Sequence, residues 1–239
     1  MQYKKAMPLL LLIGFAFASC KKSDVTLSPL ASLNLVNATV NLGTVQANFT
    51  NLSNKTTGQP YSQITTTVPY GSNNVYGVLA NMAIPLTIVA TTDTTKPIYI
   101  SSLNFANGSI YSLYLAGQTG AVDTVMVRET IPYYADSTCG VRFINLSYNS
   151  NPIVVTQSIT PTVNDFSSLT YKQYSSFKTY PSKSSNSSYI FQVRDAVAGT
   201  LLGSYTLSTP YFHNVTLAWV GQTGGTGAAT TKVIRINNY

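Results

Sequence analysis

The chain repeats itself once, and that repeat limits its fold more than any other feature. Tyr111-Ser112-Leu113-Tyr114-Leu115-Ala116-Gly117-Gln118-Thr119-Gly120 has a counterpart in Val215-Thr216-Leu217-Ala218-Trp219-Val220-Gly221-Gln222-Thr223-Gly224. In both, an apolar run enters the same Gly-Gln-Thr-Gly turn. A second marker, an apolar run closing near an asparagine, occurs at Ser32 to Asn37 and again at Val141 to Ser147. Gly117 and Gly221 lie 104 positions apart, and Asn37 and Asn145 lie 108 apart. Two markers with nearly one offset predict two tandem copies of a single domain of about 100 residues. A period of that length excludes the short-repeat solenoids.

Within each copy, short apolar runs alternate with Gly, Pro and Asn turn signals. Strands are expected at 31–37, 43–50, 61–68, 74–80, 84–91, 97–103, 109–116 and 122–129 in the first copy. In the second they are expected at 140–146, 152–159, 169–180, 187–194, 200–207, 211–220 and 230–236. Tyr189, Phe191 and Val193 fall on one face of the alternating run Tyr189 to Arg194. Seven or eight closely spaced strands per copy, with no helical stretch beyond the N-terminus, predict an all-β chain of two tandem β-sandwich domains. Their expected limits are 31–129 and 139–239, joined by a linker over 130–138 that holds Pro132, Tyr133 and Tyr134.

The N-terminus has the three zones of a secretory signal: Lys4 and Lys5, an apolar run from Leu9 to Ala18, and small residues before Cys20. The apolar run falls short of the roughly 20 residues that span a bilayer. Phe17-Ala18-Ser19-Cys20 resembles the bacterial lipobox, with Phe17 where Leu is commonest. That resemblance implies a signal peptide over 1–19 and a diacylglyceryl, N-acylated Cys20 as first residue of the mature chain. Residues 20–30 then read as a polar, lipidated tether. Lys21-Lys22-Ser23-Asp24 looks like the start of many Bacteroidetes lipoproteins, which implies the outer membrane. The acidic cluster associated with surface export in that phylum is missing, so either face of that membrane stays open.

Val141-Arg142-Phe143-Ile144-Asn145-Leu146-Ser147 resembles the opening of the domain of unknown function 4397, common in Bacteroidetes envelope lipoproteins. Leu113-Tyr114-Leu115-Ala116-Gly117 resembles a later strand of that family running into glycine. The likeness covers most of 31–127 and 139–236. The chain departs from it at the first turn, where the usual Val-Asp pair is missing, and around Asn81 to Pro85, where the usual Pro-Ala-Gly turn is replaced. The resemblance implies immunoglobulin-like antiparallel sandwiches and an envelope location, and no activity.

Chemistry is sparsely provided for. Charged residues are 9% of the chain, against about a quarter in typical proteins. Without Lys4 and Lys5, 12 basic side chains face 7 acidic ones. The basic residues are scattered after Lys22, so no nucleic-acid partner is expected. With Cys20 lipidated, Cys139 has no intrachain partner and reads as a small buried hydrophobe. The single histidine, His213, falls in an expected strand and has no companion ligands or nucleophile motif. The seven acids, Asp24, Asp93, Asp123, Glu129, Asp136, Asp165 and Asp195, form no calcium loop. Gly221 to Gly227 lacks the Gly-Lys-Ser/Thr ending of a phosphate loop, and its twin in the first copy marks it as a turn.

No catalytic residue, metal site or cofactor is therefore expected. Asp93-Thr94-Thr95, Asp123-Thr124-Val125 and Asp136-Ser137-Thr138 match the Bacteroidetes O-glycosylation signature, which nominates Thr94, Thr124 and Ser137 as acceptors. The expected function is a non-catalytic binding or adhesion module held to a membrane by its lipid. Glycan or envelope-protein partners would meet aromatic residues such as Tyr133, Tyr134, Tyr171, Tyr174 and Tyr180. The alternative is a structural spacer or accessory subunit of an envelope complex.

Overall fold

The structure, a computed structural model, describes residues 28–50, 66–134, 137–183, 185, 188–208 and 213–238. The signal segment, Cys20 and most of the tether lie outside these residues, as does Asp136. The first copy contains β1 (Leu30–Asn37), β2 (Val45–Asn48), β3 (Thr67–Val68), β4 (Ser72–Leu79), β5 (Ala83–Ala90), β6 (Asp93–Asn104), β7 (Ile110–Gln118) and β8 (Ala121–Arg128). The second contains β9 (Thr138–Asn145), β10 (Ile153–Gln157), β11 (Thr160–Leu169), β12 (Lys178–Pro181), β13 (Ser188–Asp195), β14 (Leu201–Ser208), β15 (Asn214–Val220) and β16 (Lys232–Asn238). One 3-10 turn, Gly227–Ala229, lies between β15 and β16.

Each copy is a sandwich of two four-stranded sheets, and the strand orders correspond one to one. In the first copy they are β4-β1-β7-β8 and β3-β2-β5-β6; in the second, β12-β9-β15-β16 and β11-β10-β13-β14. The all-β, two-sandwich expectation holds. The strand order has its own character, because a constant-type immunoglobulin domain divides seven strands four and three. Here the first and seventh strands of each copy pair in parallel at the centre of a sheet, β1 with β7 and β9 with β15. All other ladders are antiparallel.

Those parallel pairs are buried on both faces, which explains their continuous apolar sequences. One face of β1 and β7 supplies Leu33, Leu35, Leu113 and Leu115 to a core shared with Leu86 and Ile88 of β5. In the second copy Val141, Phe143, Leu217 and Trp219 meet Val155 of β10 and Phe191 of β13. The opposite faces of the two parallel pairs pack on each other. Val36, Tyr114, Ile144, Leu146, Ala218 and Val220, each essentially inaccessible, form a third core between the copies. The molecule is thus four stacked sheets with three apolar layers. Burying Val36, Ile144, Leu146 and Val220 alone contributes on the order of 6–12 kcal/mol, so the copies form one block rather than two hinged beads.

The interface has a quasi-two-fold character. Gly71 N–H donates to the Asn37 carbonyl, and Lys172 N–H donates to that of Asn145, so Tyr70 and Tyr171 are equivalent. Asp123 lies opposite Ala116 as Lys232 lies opposite Val220, so these are equivalent too. Across the interface Tyr171 meets Asp123, and Tyr70 meets Lys232. Each copy offers the same two positions to the other, which is the pattern of an isologous dimer.

Both sequence markers have structural causes. The buried Asn37 amide donates to the carbonyls of Gly43 and Val68 while its oxygen accepts from Thr39 N–H. The buried Asn145 amide donates to the Leu169 carbonyl and to Ser150 Oγ, and its oxygen accepts from Ser147 N–H. Each side chain ties the end of the first strand to loops of its own copy. Gly117 and Gly221 have φ of +79° and +105°, and a Cβ there would lie 2.2 Å from the Ala121 carbonyl oxygen and 2.6 Å from that of Thr230. Only glycine fits.

Several expectations need correction. The single strand expected over 169–180 is instead the last residue of β11, a connection over 170–177 and the start of β12 in the other sheet, because the chain turns at Tyr171-Lys172, with Lys172 at φ +69°. No glycine or proline marks that turn. Most of β11 went unread because it is a polar edge strand with Pro161 and a bulged register against β10. His213, expected inside a strand, precedes β15, and its carbonyl accepts from Gly140 N–H. Of the expected 61–68 strand, Thr67–Val68 is strand and Thr66 is not, and residues 61–65 lie outside the described set.

A cleft at the junction of the two copies

The strongest concentration of polar chemistry lies where the copies meet near the linker. Arg142 sits in the middle of β9 and points into the interface, only 4% exposed. Its Nε donates to Thr216 Oγ1 at 2.8 Å, and its Nη2 donates to Tyr114 Oη at 2.9 Å and to Glu129 Oε1 at 2.5 Å. Thr216 in turn donates to Asn238 Oδ1. The Glu129 side chain is fully buried. The guanidinium also lies 4.8 Å from the Phe177 ring centroid and 5.6 Å from that of Tyr174. Burial raises the Tyr114 phenol above its ordinary value, so it remains a neutral hydrogen-bond partner.

Above this network opens a cleft of about 350 Å³, lined by Arg128, Thr130, Arg142, Tyr174, Ser176 and Phe177 among others. Its floor is a cation already neutralised by Glu129. Its walls are two aromatic rings, and its rim carries hydroxyls and the exposed Arg128, whose Nη2 donates to Ser109 Oγ. Such a lining can stack against a flat ligand face and exchange hydrogen bonds. A second opening of about 440 Å³ lies on the other side of the same 173–178 segment, with Asp165 and Lys178 paired at its edge.

The residues nominated from sequence are dispersed. Thr94 lies at the start of β6, Thr124 in β8, and Ser137 just before β9; all three are half-buried. Asp93 accepts from Thr95 and pairs with Lys96, which hold its carboxyl below the ordinary value. Asp123 accepts from Tyr171 Oη and Lys172 Nζ across the copy interface, each at 3.0 Å. Asp165 accepts from Gln157, Lys178 and Tyr180. Asp195 accepts from the N–H groups of Ala198 and Val197 and from Asn151, which lower its pKa. With the Glu129–Arg142 pair, every described carboxylate is engaged in a structural contact.

Among the candidate tyrosines, Tyr133 is exposed on the linker and Tyr174 lines the cleft. Tyr171 belongs to the copy interface and Tyr180 to the core of the second copy, where burial raises both phenols. Cys139 is buried in that core as a free thiol, its pKa pushed up to about 11 by burial. Among the described residues no group of three His, Cys, Asp or Glu side chains is placed to hold a metal, and no helix is long and apolar enough to cross a membrane. Sequence reasoning missed Arg142, Glu129 and Phe177. An arginine inside an otherwise apolar strand and the chain's only glutamate were the available signals. No family model matches this chain, and no curated protein matches it.

Proposed function

We propose that this protein is a cell-envelope lipoprotein, anchored in the outer membrane through acylated Cys20, that acts as a non-catalytic binding or adhesion module. The junction cleft carries this reading: two aromatic walls and a hydroxyl-bearing rim over a neutralised guanidinium suit recognition of a polar, uncharged ligand such as a glycan. Proton transfer finds little support, since the described carboxylates are taken up in turns, ion pairs and the copy interface. A glycan array probed with the protein and with Tyr174→Ala and Phe177→Ala tests the reading. Binding by the parent that both variants lose supports it. Binding that both retain, or no binding by the parent, removes it.

The alternative, a structural spacer or accessory subunit of an envelope complex, draws on a different observation. The apolar core between the copies, with the buried Glu129–Arg142 pair beside it, makes a stiff four-sheet block. Co-purification with envelope proteins, undisturbed by the cleft variants, would favour it. Glycans on Thr94, Thr124 and Ser137 are part of the proposal. Intact mass of envelope-purified protein equal to that of the lipidated polypeptide would exclude them.

A further inference from the structure

Both copies begin their first strand at the same end of the block. β1 starts at Leu30 and β9 at Thr138, and the linker between β8 and β9 stays at that end, where the Asn214 amide donates to the Pro132 carbonyl. The opposite end carries the Asp123–Tyr171 and Lys232–Tyr70 contacts. The opposite end also exposes Val197 and Leu201, so what sets the linker end apart is its grouping of apolar tips with the tether and its lack of described exposed acids. At the linker end, the Asn81-Met82 turn, the linker and the Ser158-Ile159 turn each hold out one large apolar side chain. Met82 is 51% exposed, Tyr133 90% and Ile159 80%, beside Leu30 at 54%.

The described acids, though not the cations, are unevenly divided between the ends. Arg128 and Lys183 are exposed at the linker end. Among the described residues, its one carboxylate is the buried Glu129. Asp93, Asp123 and Asp195 all lie at or near the opposite end, where Lys96 and Lys172 pair with the first two, and Asp165 is held mid-strand by Lys178. The tether also departs from the linker end. Leu30 lies ten positions after Cys20, which allows a reach of about 35 Å when fully extended and much less when relaxed.

We infer that the linker end is a membrane-facing surface: Met82, Tyr133 and Ile159 enter the headgroup region of the bilayer that holds the acyl chains, and the block stands on end above it. This inference rests on the anchoring of Cys20. An apolar tip flanked by cations, with no exposed acid among its described residues, is what a weakly anionic lipid interface favours. The tether keeps that tip concentrated at the surface, so each side chain needs to contribute only a little. The opposite end, with its acids and its polar Thr91-Thr92 and Thr119-Gly120 turns, then points away from the membrane.

The test uses the full lipidated protein in vesicles of phosphatidylethanolamine and phosphatidylglycerol that carry a lipid-borne nitroxide quencher. A fluorophore is placed singly at Ser23→Cys, Met82→Cys, Ile159→Cys or Val197→Cys. Val197 is an exposed residue in the β13–β14 turn at the opposite end. That end lies about 25 Å from the linker end, the length of an eight-residue strand. Expected is quenching at Ser23, Met82 and Ile159 about threefold or more above that at Val197, since interfacial side chains sit roughly 5–10 Å into the headgroup boundary. Quenching at Ser23 with none at Met82 and Ile159, or equal quenching at all four, overturns the end-on surface and leaves the anchor intact. No quenching at Ser23 overturns the anchor and this inference with it.

Discussion

Removal of the Glu129 carboxylate should be among the most damaging single changes in the molecule. In Glu129→Ala the Arg142 guanidinium stays in a site where 4% of the residue is exposed, and it loses its one ion-pair partner among the described residues. Breaking a buried pair from one side costs about 3–5 kcal/mol. Two neutral acceptors remain, Thr216 and Tyr114, and two aromatic rings face the cation, so the loss should fall near 3 kcal/mol. Replacing both partners by apolar side chains, as in Glu129→Leu with Arg142→Met, removes the stranded charge and should recover most of the loss. The assay is urea unfolding followed by tryptophan fluorescence. Trp219 is buried in the core of the second copy while its strand faces the interface, so it reports on both. The loss should change little with salt, because a buried pair is weakly screened. A Glu129→Ala loss below about 1 kcal/mol, or a double variant no better than the single one, would refute the reasoning.

Three further outcomes follow from the geometry. Asn37→Ala and Asn145→Ala should each lower stability by about 2–3 kcal/mol in the same unfolding assay, because each strands buried backbone groups in an equivalent place; a loss in only one copy would contradict the equivalence. Gly117→Ala should prevent accumulation of folded protein, measured by soluble yield and circular dichroism, whereas Gly43→Ala, with open space at the Cβ position, should cost about 1 kcal/mol for its positive φ. Cys139 is raised above its unfolded value of 9.0 to about 11, so its contribution is complete below pH 9 and is lost as pH rises through about 11. Native protein should therefore resist thiol-specific labelling at pH 8 and yield on that alkaline side, and rapid labelling at pH 8 would show an accessible thiol.

Much of this architecture was readable because repetition and periodicity report on backbone needs. The Asn and Gly markers recur because each copy must tie the end of its first strand and turn tightly at the end of its seventh. The continuous apolar runs of β7 and β15 showed strands, but their meaning, burial on both faces against a second copy, needed the partner sheet in view. The chain reversal at Tyr171-Lys172 was hidden because Lys172 takes a conformation usually left to glycine, with its ammonium paired to Asp123 in the other copy. Arg142 and Glu129 are 13 residues apart across the linker, and nothing local links them. Pairing between copies decides their role, and single-copy periodicity does not encode it.

The quasi-two-fold interface also governs which halves can associate. Equivalent positions no longer carry equivalent residues: Glu129 in the first copy corresponds to Asn238 in the second, and Arg142 to Asn34. Two second copies from different molecules, docked on the same faces, would bury Arg142 against Asn238 with no carboxylate to meet it. Two first copies would bury Glu129 against Asn34 with no cation. Each half is complementary to the other half and poorly complementary to itself, so among many identical chains the correct partner is the one joined by the linker.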